Sequence, residues 1–342
     1  MPRGRGRPVL LYLPGAEALA RKTIATLDKD WQLMPIEVRY FADGEVKTLL
    51  PTGDDNSVRG ADTFVMQVAD PNYPHSRQDT FFELCSALAA LTECSAGQRT
   101  AVIPWYSYAC QDKARRREPV TAKLAADFLT VSGATHVVAV DVHNDAIGAF
   151  FNRRQCTFDH LYASGLLVDF LEKQFGLLSQ RDNFVISGVD AGGSTRIKHL
   201  ANHYGLTPVT PTKVKDYGTG QTREIIIQET VAGKTVVVID DMVRSGSSIV
   251  ETTKAHMAKG ANKVIIAATH ADFCGNSLAQ LDRLFTEGIL LKAVFTDSFN
   301  IPDDFAAIHP WFAEVSLYDM LARTISCVHT EQSVGNVRLE EE

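Results

Sequence analysis

The sequence of 342 residues lacks the short motifs that assign many nucleotide-binding proteins directly. It contains no G-x-x-x-x-G-K-[ST] segment, the loop that P-loop nucleotide hydrolases need beside an apolar strand ending in Asp-Asp. It also has no G-x-G-x-x-G fingerprint after a strand, because Gly4 and Gly6 lie in an Arg/Pro-rich start. These absences exclude P-loop hydrolysis and dinucleotide binding as first interpretations.

Cysteine is scarce and scattered, with six residues and no C-x-x-C pair. This pattern is typical of reduced thiols in a cytoplasmic protein and excludes a disulfide framework or a zinc site. No apolar run reaches membrane-spanning length, and the first residues lack the apolar core of a signal peptide. We therefore expect a soluble, cytoplasmic protein without a membrane partner.

Positive charge is not in excess, since 34 Lys and Arg residues face 41 Asp and Glu residues, for a net charge of −7. This balance argues against a general nucleic-acid binder. A hydrophobic content of 45% and a charged content of 22% are ordinary for a globular protein with a full core. The length indicates two domains.

Apolar strands alternate with helical patterns along the chain, which predicts an α/β fold with mainly parallel sheets. We expect one domain at residues 1–155 and a second at 156–342, whose last segment packs back on the first. Two apolar strands that end in aspartate, Val137–Asp141 and Val236–Asp240, suggest an internal duplication. The expected elements also include a strand at 34–38 and a helix that begins at Leu161.

The most informative stretch begins at Thr235. A β-branched run, Thr235–Ile239, is typical of a strand buried on both faces of a parallel sheet. The run ends in Asp240 and Asp241, and a short Ser/Gly segment and a helical pattern from Ile249 follow. The polar residues thus lie at the carboxyl end of a strand, where open α/β sheets bind their ligands.

The chemistry of this loop suits a sugar phosphate. Free backbone N–H groups at a helix start, a close approach at Gly246 and three serine hydroxyls favour a terminal phosphate. Asp240 and Asp241 can accept hydrogen bonds from a vicinal diol or hold a divalent cation. The alternative is a buried strand whose polar end only caps a helix.

Two further loops contain candidate nucleotide ligands. Arg115–Arg117 can clamp a polyphosphate, and Gln111 with Asp112 can contact a base edge, although a solvated charged loop has the same composition. Asp141 and His143 follow the strand at 136–140 and are candidate ligands for a magnesium nucleotide. A structural histidine is the alternative there.

Two loops of the second half have the composition of catalytic segments. Asp190 begins a Gly-rich loop that follows a predicted strand, and Gly192 and Gly193 in this loop allow the backbone to approach a phosphate. Lys213 and Lys215 lie on a predicted flap that contains two later glycines as hinges. Such a flap can bring cations to a reacting phosphate and exclude water.

Together these motifs resemble those of the ribose-phosphate pyrophosphokinase (PRPP synthetase) family, over about residues 11–334. The motifs that support the resemblance are, in chain order, Phe41-Ala-Asp-Gly-Glu45, Asn56-Ser-Val-Arg-Gly60, Gln111-Asp-Lys113, Arg117-Glu-Pro-Val-Thr-Ala-Lys123, Asp141-Val-His143, Gly148-Ala-Phe-Phe151, Asp190-Ala-Gly-Gly193 with Arg196, the Asp240–Ser248 loop and Glu331-Gln-Ser-Val334.

The resemblance implies two type I phosphoribosyltransferase-like (Rossmann-like) domains with an active site between them. It implies transfer of the diphosphoryl group of MgATP to O1 of ribose 5-phosphate, which gives 5-phosphoribosyl 1-diphosphate (PRPP) and AMP. It also implies Mg²⁺ as cofactor and a homo-oligomer built from dimers, with a hexamer as one form.

The resemblance also implies roles for individual residues. Ribose 5-phosphate would be bound by Asp240, Asp241, Arg244, Ser245, Gly246, Ser247 and Ser248. ATP would be bound by Gln111, Asp112, Lys113 and His143, and by Phe41, Asp43 and Glu45 of a neighbouring subunit. His143 and Asp190 would lie near Mg²⁺, and Lys213 and Lys215 would be the catalytic cations.

The sequence departs from the family pattern at three of these places. Cys110 and Lys215 stand where arginine is common, and Arg244 stands where a third carboxylate is common. Two alternatives therefore remain. A phosphoribosyltransferase would share the sugar-phosphate loop but would not need the Gln111–Lys123 cluster. A non-catalytic subunit associated with PRPP synthetases would keep the fold with an altered site.

Overall fold

The computed structural model describes residues 5–53, 56–114, 116–189, 194–215 and 222–338. The chain divides into two compact units. Unit 1 comprises Met1–Tyr162, Ser298–Asn300 and Ser316–Leu339, and unit 2 comprises Ala163–Asp297, Ile301–Val315 and Glu340–Glu342. The expected domain boundary after residue 155 lies a short distance before this division.

The described residues form both strands and helices. The strands are β1 (Pro8–Tyr12), β2 (Gln32–Pro35), β3 (Glu37–Tyr40), β4 (Val46–Leu49), β5 (Asp62–Met66), β6 (Gln98–Val102), β7 (His136–Val140), β8 (Thr157–Leu161), β9 (Phe184–Ser187), β10 (Pro208–Val209), β11 (Thr212–Lys215), β12 (Thr222–Ile226), β13 (Thr235–Met242), β14 (Lys263–His270), β15 (Leu290–Thr296) and β16 (Phe312–Val315). The helices are α1 (Glu17–Ile24), α2 (Arg77–Glu93), α3 (Thr121–Val131), α4 (Ser164–Phe175), α5 (Ser194–Tyr204), α6 (Ser247–Ala258), α7 (Ser277–Thr286), α8 (Phe305–Ile308), α9 (Tyr318–His329) and α10 (Gly335–Arg338).

Unit 1 contains a six-stranded parallel sheet in the order β2-β1-β5-β6-β7-β8. All five residues of β1, β5 and β7 are buried, as expected for central strands covered by helices on both faces. The core on one face joins Leu11 of β1 to Leu84 of α2 and Ala125 of α3. A separate antiparallel hairpin, β3–β4, follows β2.

Unit 2 contains a second six-stranded parallel sheet in the order β10-β9-β13-β14-β15-β16. Its core joins Val237 of β13 to Leu167 of α4 and Leu200 of α5. An antiparallel hairpin, β11–β12, follows β10. The fold class predicted from sequence, α/β with two mainly parallel sheets, is confirmed.

The two units share one topology. When its hairpin is set aside, each sheet has its second strand at one edge, then its first, third, fourth, fifth and sixth strands. β13 therefore occupies the position of β5, and β15 that of β7. The strands that suggested a duplication, at 137–141 and 236–240, are not equivalent, because an apolar run ending in Asp does not encode a position in a sheet.

Local predictions differ from the structure at two places. The expected strand at 34–38 is split, because Pro35 has no N–H to continue the ladder and the chain turns into β3. β8 was missed, and the helix expected from Leu161 begins at Ser164. The sequence of β8, with its threonine, aspartate and histidine, is too polar to read as a buried strand.

Among the helices in the described ranges, none is long and apolar enough to cross a membrane.

Candidate active site

The loops after β9 and β13 leave neighbouring strands at the carboxyl edge of the unit 2 sheet. From β9 the chain continues to β10 on one side, and from β13 it continues to β14 on the other. Open α/β sheets bind ligands at such a reversal of strand order. The sequence places Asp240 and Asp241 here. Asp190 belongs to the β9 loop but lies outside the described residues, so its role stays a prediction.

The loop that follows β13 has the conformation that a close-approaching ligand requires. β13 is buried through Ile239, and Asp240 and Asp241 are only half-buried. The N–H of Asp241 donates to Oδ1 of Asp240 at 3.0 Å, which fixes that carboxylate. Gly246 has a left-handed backbone with φ 77°, and a Cβ there would lie 3.2 Å from Oε1 of Gln280. This position therefore favours glycine on two counts.

The first turn of α6 has free donors. Its N-cap is Gly246, which provides no side-chain cap, so the first backbone N–H groups have no partner within the helix. The hydroxyl-bearing residues Ser245, Ser247 and Ser248 are exposed beside them. Such a group of donors at a helix start is suited to a phosphate.

The equivalent helix of unit 1 begins differently. In the shared topology α2 follows β5 as α6 follows β13. Ser76 and Asp79 form a capping box at the start of α2, in which the Ser76 hydroxyl accepts the N–H of Asp79 and the Asp79 carboxylate accepts the N–H of Ser76. The Asp79 carboxylate also repels an anion at that end. Of the two equivalent positions, only the one in unit 2 is built for an anion.

Arg244 lies on the same loop, and contacts hold both its side chain and its backbone carbonyl. Its Nε lies 3.0 Å from Oδ2 of Asp272, whose side chain is 1% exposed against 52% for Arg244. The N–H of Cys274 donates to the carbonyl of Arg244 at 3.1 Å. The loop thus presents a cation in a fixed orientation. Asp272 was not identified from sequence, because it follows a different strand.

In unit 1 the expected ATP ligands leave two adjacent strands. The loop that contains Gln111, Asp112 and Lys113 follows β6, and His143 follows β7. Nδ2 of Asn144, the neighbour of His143, donates to Oδ2 of Asp112 at 2.6 Å. The structure therefore brings these two predicted segments together.

The expected ATP ligands differ in their exposure. Gln111, Lys113 and His143 are exposed, whereas Asp112 is half-buried. The side chain of Gln111 accepts a hydrogen bond from Oγ1 of Thr121 at 2.6 Å, so the start of α3 orients it. Asp141, the other carboxylate considered at this edge, is fully buried and is not available to solvent.

His160 on β8 holds the loop that contains His143. Its Nε2 accepts a hydrogen bond from the N–H of Val142 at 3.0 Å, and its Nδ1 lies 3.1 Å from Oδ1 of Asp145. These contacts require a neutral imidazole with its proton on Nδ1. Sequence analysis missed His160, because its role depends on contacts with the loop that follows a different strand.

The hairpin β3–β4 presents the motif expected to meet a neighbouring subunit. The N–H of Phe41 donates to the carbonyl of Glu45 at 2.9 Å, and the Asp43 carboxylate accepts the N–H of Glu45 at 3.0 Å. These bonds close a turn on which the Phe41 side chain is 55% exposed. The geometry leaves all three predicted side chains on the surface.

The hairpin is joined to α2 by partly buried polar contacts. The Tyr40 hydroxyl donates to the Glu83 carboxylate, and the Thr48 and Ser86 hydroxyls lie 2.7 Å apart. Burial raises the pKa of Glu83, and the bonds from tyrosine hydroxyls only partly offset this effect. The exposed turn is thus supported by a rigid base.

The predicted flap is the hairpin β11–β12. Lys213 is half-buried on β11 and pairs with Ile225, and the pairing shifts register between Val214 and Lys215. Bulges of this kind redirect side chains and are frequent beside active sites. Residues 216–221, with both predicted hinge glycines, and the side chain of Lys215 lie outside the described part of the chain.

Within the described ranges, no three His, Cys, Asp or Glu side chains form a metal-binding cluster. The residues that the resemblance places near Mg²⁺ are His143 and Asp190, and the latter is not described. Their role stays a prediction.

Comparisons with known proteins agree with this architecture. Residues 9–133 match the family model of the N-terminal domain of ribose phosphate pyrophosphokinase, and residues 161–289 match that of the phosphoribosyl transferase domain. A crystal structure of phosphoribosylpyrophosphate synthetase from Mycobacterium smegmatis superposes with a TM-score of 0.79 at 29% identity, covering 94% of this chain and 98% of the other.

Curated relatives extend over most of the chain. A ribose-phosphate pyrophosphokinase from Parasynechococcus marenigrum is 33% identical over 306 residues, which cover 89% of this chain and 86% of the relative. Another from Thermosipho africanus is 33% identical over 308 residues, which cover 89% of each.

The fold and the loop after β13 define an α/β protein with two domains of the phosphoribosyltransferase type. The chain belongs to the ribose-phosphate pyrophosphokinase family, whose members are also called PRPP synthetases.

Proposed function

We propose that the protein transfers the diphosphoryl group of MgATP to O1 of ribose 5-phosphate and releases PRPP and AMP. The observation that supports this proposal most directly is the contrast between α6 and α2. α6 starts at a left-handed glycine without a side-chain cap, whereas α2 starts with a capping box formed by Ser76 and Asp79. Asp240 and Asp241, at the end of β13, are close in sequence to this helix start. The phosphate of a sugar phosphate can therefore bind at the helix start while its hydroxyls donate to the two carboxylates.

Ribose 5-phosphate is bound by unit 2 in this proposal. The first N–H groups of α6 and the hydroxyls of Ser245, Ser247 and Ser248 donate to the 5-phosphate. Asp240 and Asp241 accept hydrogen bonds from the ribose hydroxyls. Arg244 adds a cation that Asp272 orients. These interactions hold O1 of the sugar in one position, which lowers the entropic cost of reaching the transition state.

ATP is bound by loops of unit 1. Gln111 and Asp112 contact the base or ribose, and Lys113 with His143 lies on the phosphate side. The bond between Asn144 and Asp112 keeps the two loops in one arrangement. Phe41, Asp43 and Glu45 contact the ATP of a neighbouring subunit, and the exposure of Phe41 supports that role.

Mg²⁺ fits the residues that are present. This ion prefers oxygen ligands, keeps several waters and is commonly bound by substrate phosphates with one or two carboxylates. A dedicated cluster of protein ligands is therefore not required, and the proposal assigns the ion to Asp190 and His143. When bound, the ion supplies positive charge to the phosphate oxygens of ATP.

The reaction forms one bond and breaks another. O1 of ribose 5-phosphate attacks the β-phosphorus of ATP, and the bond from that phosphorus to the α,β-bridging oxygen breaks, so AMP leaves. The O1 hydroxyl proton is released. Charge grows on the equatorial oxygens, and Lys213 and Lys215 of the flap stabilise it. A closed flap also excludes water that would hydrolyse ATP.

A homo-oligomer is part of the proposal. Large apolar side chains are exposed on two helices of unit 1, with Phe82 on α2 and Leu124, Phe128 and Val131 on α3. The three on α3 recur at helical spacing, so they lie on one face. A second copy that covers this face would remove apolar surface from water. Light scattering should show a smaller assembly for Val131→Glu than for wild type.

We also propose a cytoplasmic location. The six cysteines form no disulfide, and three of them, Cys94, Cys110 and Cys274, are exposed. Exposed thiols outside disulfides suit a reducing compartment.

A coupled assay tests the proposed reaction. Purified protein is mixed with ribose 5-phosphate, ATP and Mg²⁺, and AMP and PRPP are followed together. Equal amounts of both products are expected. ATP binding without AMP release would instead indicate a non-catalytic associated subunit. PRPP consumption with an added base, without dependence on ATP, would indicate a phosphoribosyltransferase.

A further inference from the structure

His256 is a buried polar residue that the proposed reaction does not use. It lies near the end of α6 and is 0% exposed. Its Nε2 lies 2.9 Å from Oγ of Ser187, the last residue of β9. The Ser187 hydroxyl donates to the carbonyl of Gly188 at 2.8 Å, so Nε2 of His256 is the donor in its own bond with Ser187.

Thr252, one turn earlier on α6, makes a second contact with the same segment. Its hydroxyl donates to the carbonyl of Val189 at 3.1 Å and is fully buried. Two side chains of one helix therefore hold residues 187–189. The next residue in the chain is Asp190, the predicted metal ligand.

The base of the flap lies beside the same helix. Glu229, which follows β12, accepts the N–H of Thr210 at 3.1 Å, and Thr210 precedes β11. This bond closes the open end of the flap hairpin. The charge of Glu229 acts on the imidazole of His256, although the effect of burial is larger and lowers the pKa of His256 to about 4. The imidazole is therefore neutral near pH 7.

We propose that His256 and Thr252 are positioning residues. They fix residues 187–189, which end β9 and lead to Asp190, to α6, the helix that begins at the phosphate loop. α6 then sets the spacing between two loops of the site, and β12 of the flap hairpin packs against the same helix. Side chains at the far end of α6 thus affect the metal-binding loop without touching substrate.

This inference rests on the proposed function, because Asp190 acts on Mg²⁺ only in that reaction. It predicts a specific pattern. Loosening the β9 exit should weaken activation by Mg²⁺ and lower kcat, whereas the KM for ribose 5-phosphate, set by the start of α6, should change little.

Closely matched variants are available on α6. Thr252→Val removes the hydroxyl that bonds Val189 and keeps the side-chain shape, and Thr252→Ser keeps the hydroxyl. Thr253→Val is the control, because Thr253 is equally buried and its hydroxyl has no hydrogen-bond partner among the described residues. His256→Leu removes the bond to Ser187.

Two measurements distinguish positioning from a general loss of stability. The first is the Mg²⁺ concentration for half-maximal rate, with kcat and the KM for ribose 5-phosphate measured in parallel. Thr252→Val and His256→Leu should each raise that concentration about tenfold, since the first removes the bond to the carbonyl of Val189 and the second removes the bond to the Ser187 hydroxyl. Thr252→Ser should restore the wild-type value, and Thr253→Val should keep it.

The second measurement is hydrogen exchange of the backbone amides at residues 184–189, in the absence of substrates and Mg²⁺. Exchange should be faster in Thr252→Val and His256→Leu than in Thr253→Val. This readout needs no activity, so it tests the inference even if the wild-type protein makes no PRPP and the proposed function fails. Equal exchange and equal Mg²⁺ dependence in Thr252→Val and Thr253→Val would overturn the inference.

Discussion

The guanidinium of Arg244 and the buried carboxylate of Asp272 form an ion pair with an Nε to Oδ2 distance of 3.0 Å. The pair joins the loop after β13 to the loop after β14, which are neighbouring strands. It gives one side chain of the predicted phosphate loop a fixed direction. Its contribution to binding can be separated from its contribution to stability.

Arg244→Ala should raise the KM for ribose 5-phosphate about tenfold, because a charge-assisted hydrogen bond to the phosphate is lost. It should also lower the free energy of unfolding by roughly 1–2 kcal/mol, since Asp272 stays buried without its cation while half-exposure of Arg244 limits the effect. The double variant Arg244→Ala with Asp272→Asn should recover stability but not the KM. Recovery of both would show that Arg244 acts only on folding.

Lys213→Ala should lower kcat by about a hundredfold or more, because a positioned cation no longer stabilises the transferred group. The fold should survive, as judged by circular dichroism. Lys173→Ala, which removes an exposed lysine from α4 in the same unit, is the control and should keep wild-type turnover. A Lys213→Ala protein with normal kcat would remove this lysine from the mechanism.

Gly246→Ala should abolish most ribose 5-phosphate binding in calorimetry, since a left-handed alanine and its contact with Gln280 would displace the loop. Gly233 provides a matched control. It has φ 72° and a Cβ there would meet nothing within 4 Å. Gly233→Ala should therefore lose stability by roughly 1–2 kcal/mol and bind the sugar phosphate normally. Equal binding by the two variants would contradict the assigned role of the loop.

His160→Leu should raise the KM for ATP, because the buried N–H of Val142 loses its acceptor and the His143 loop loosens. We expect an effect of about tenfold, with an unchanged KM for ribose 5-phosphate. His136→Leu is the comparison, since His136 pairs with Asp159 at 2.8 Å at the opposite end of β7. It should reduce the Tm without changing the KM for ATP.

Stability should depend on His256 at mildly acidic pH. Burial lowers its pKa from 6.5 to about 4, so the folded state favours the neutral imidazole. Its contribution is fully present above pH 6.5 and is lost as the pH falls toward 4, with a loss of about 2 kcal/mol by about pH 5. Urea unfolding of wild type and His256→Gln at about pH 7.5 and about pH 5 measures this. An equal pH effect in both proteins would contradict it.

Local chemistry explains which parts of the site were predictable. The β-branched run of β13, the paired aspartates and Gly246 are contiguous, so the strand, its end and the loop could be identified together. Parallel sheets and their alternation with helices followed from the same kind of pattern. The family resemblance supplied individual roles at positions where composition left several readings open.

The parts that were missed depend on contacts between distant segments. Asp272, His160 and Thr252 act on loops that follow other strands, and nothing in their immediate sequence indicates the partner. β8 was missed because its polar side chains have specific partners, such as His136 for Asp159. The prediction that the strands at 137–141 and 236–240 are equivalent in the two units was wrong for the same reason, since strand order is a long-range property.

The ends of unit 1 have a consequence for synthesis on the ribosome. His329 of α9 bonds to the buried Asp62 at 2.8 Å and packs against Trp31, with ring centroids 5.5 Å apart. Residues 163–297 emerge between these partners. The amino-terminal unit therefore cannot close its structure until almost the whole chain has been translated. During elongation the Asp62 carboxylate has Arg5 nearby, at 3.7 Å, but lacks its bond to His329, and unit 2 has the first opportunity to fold completely.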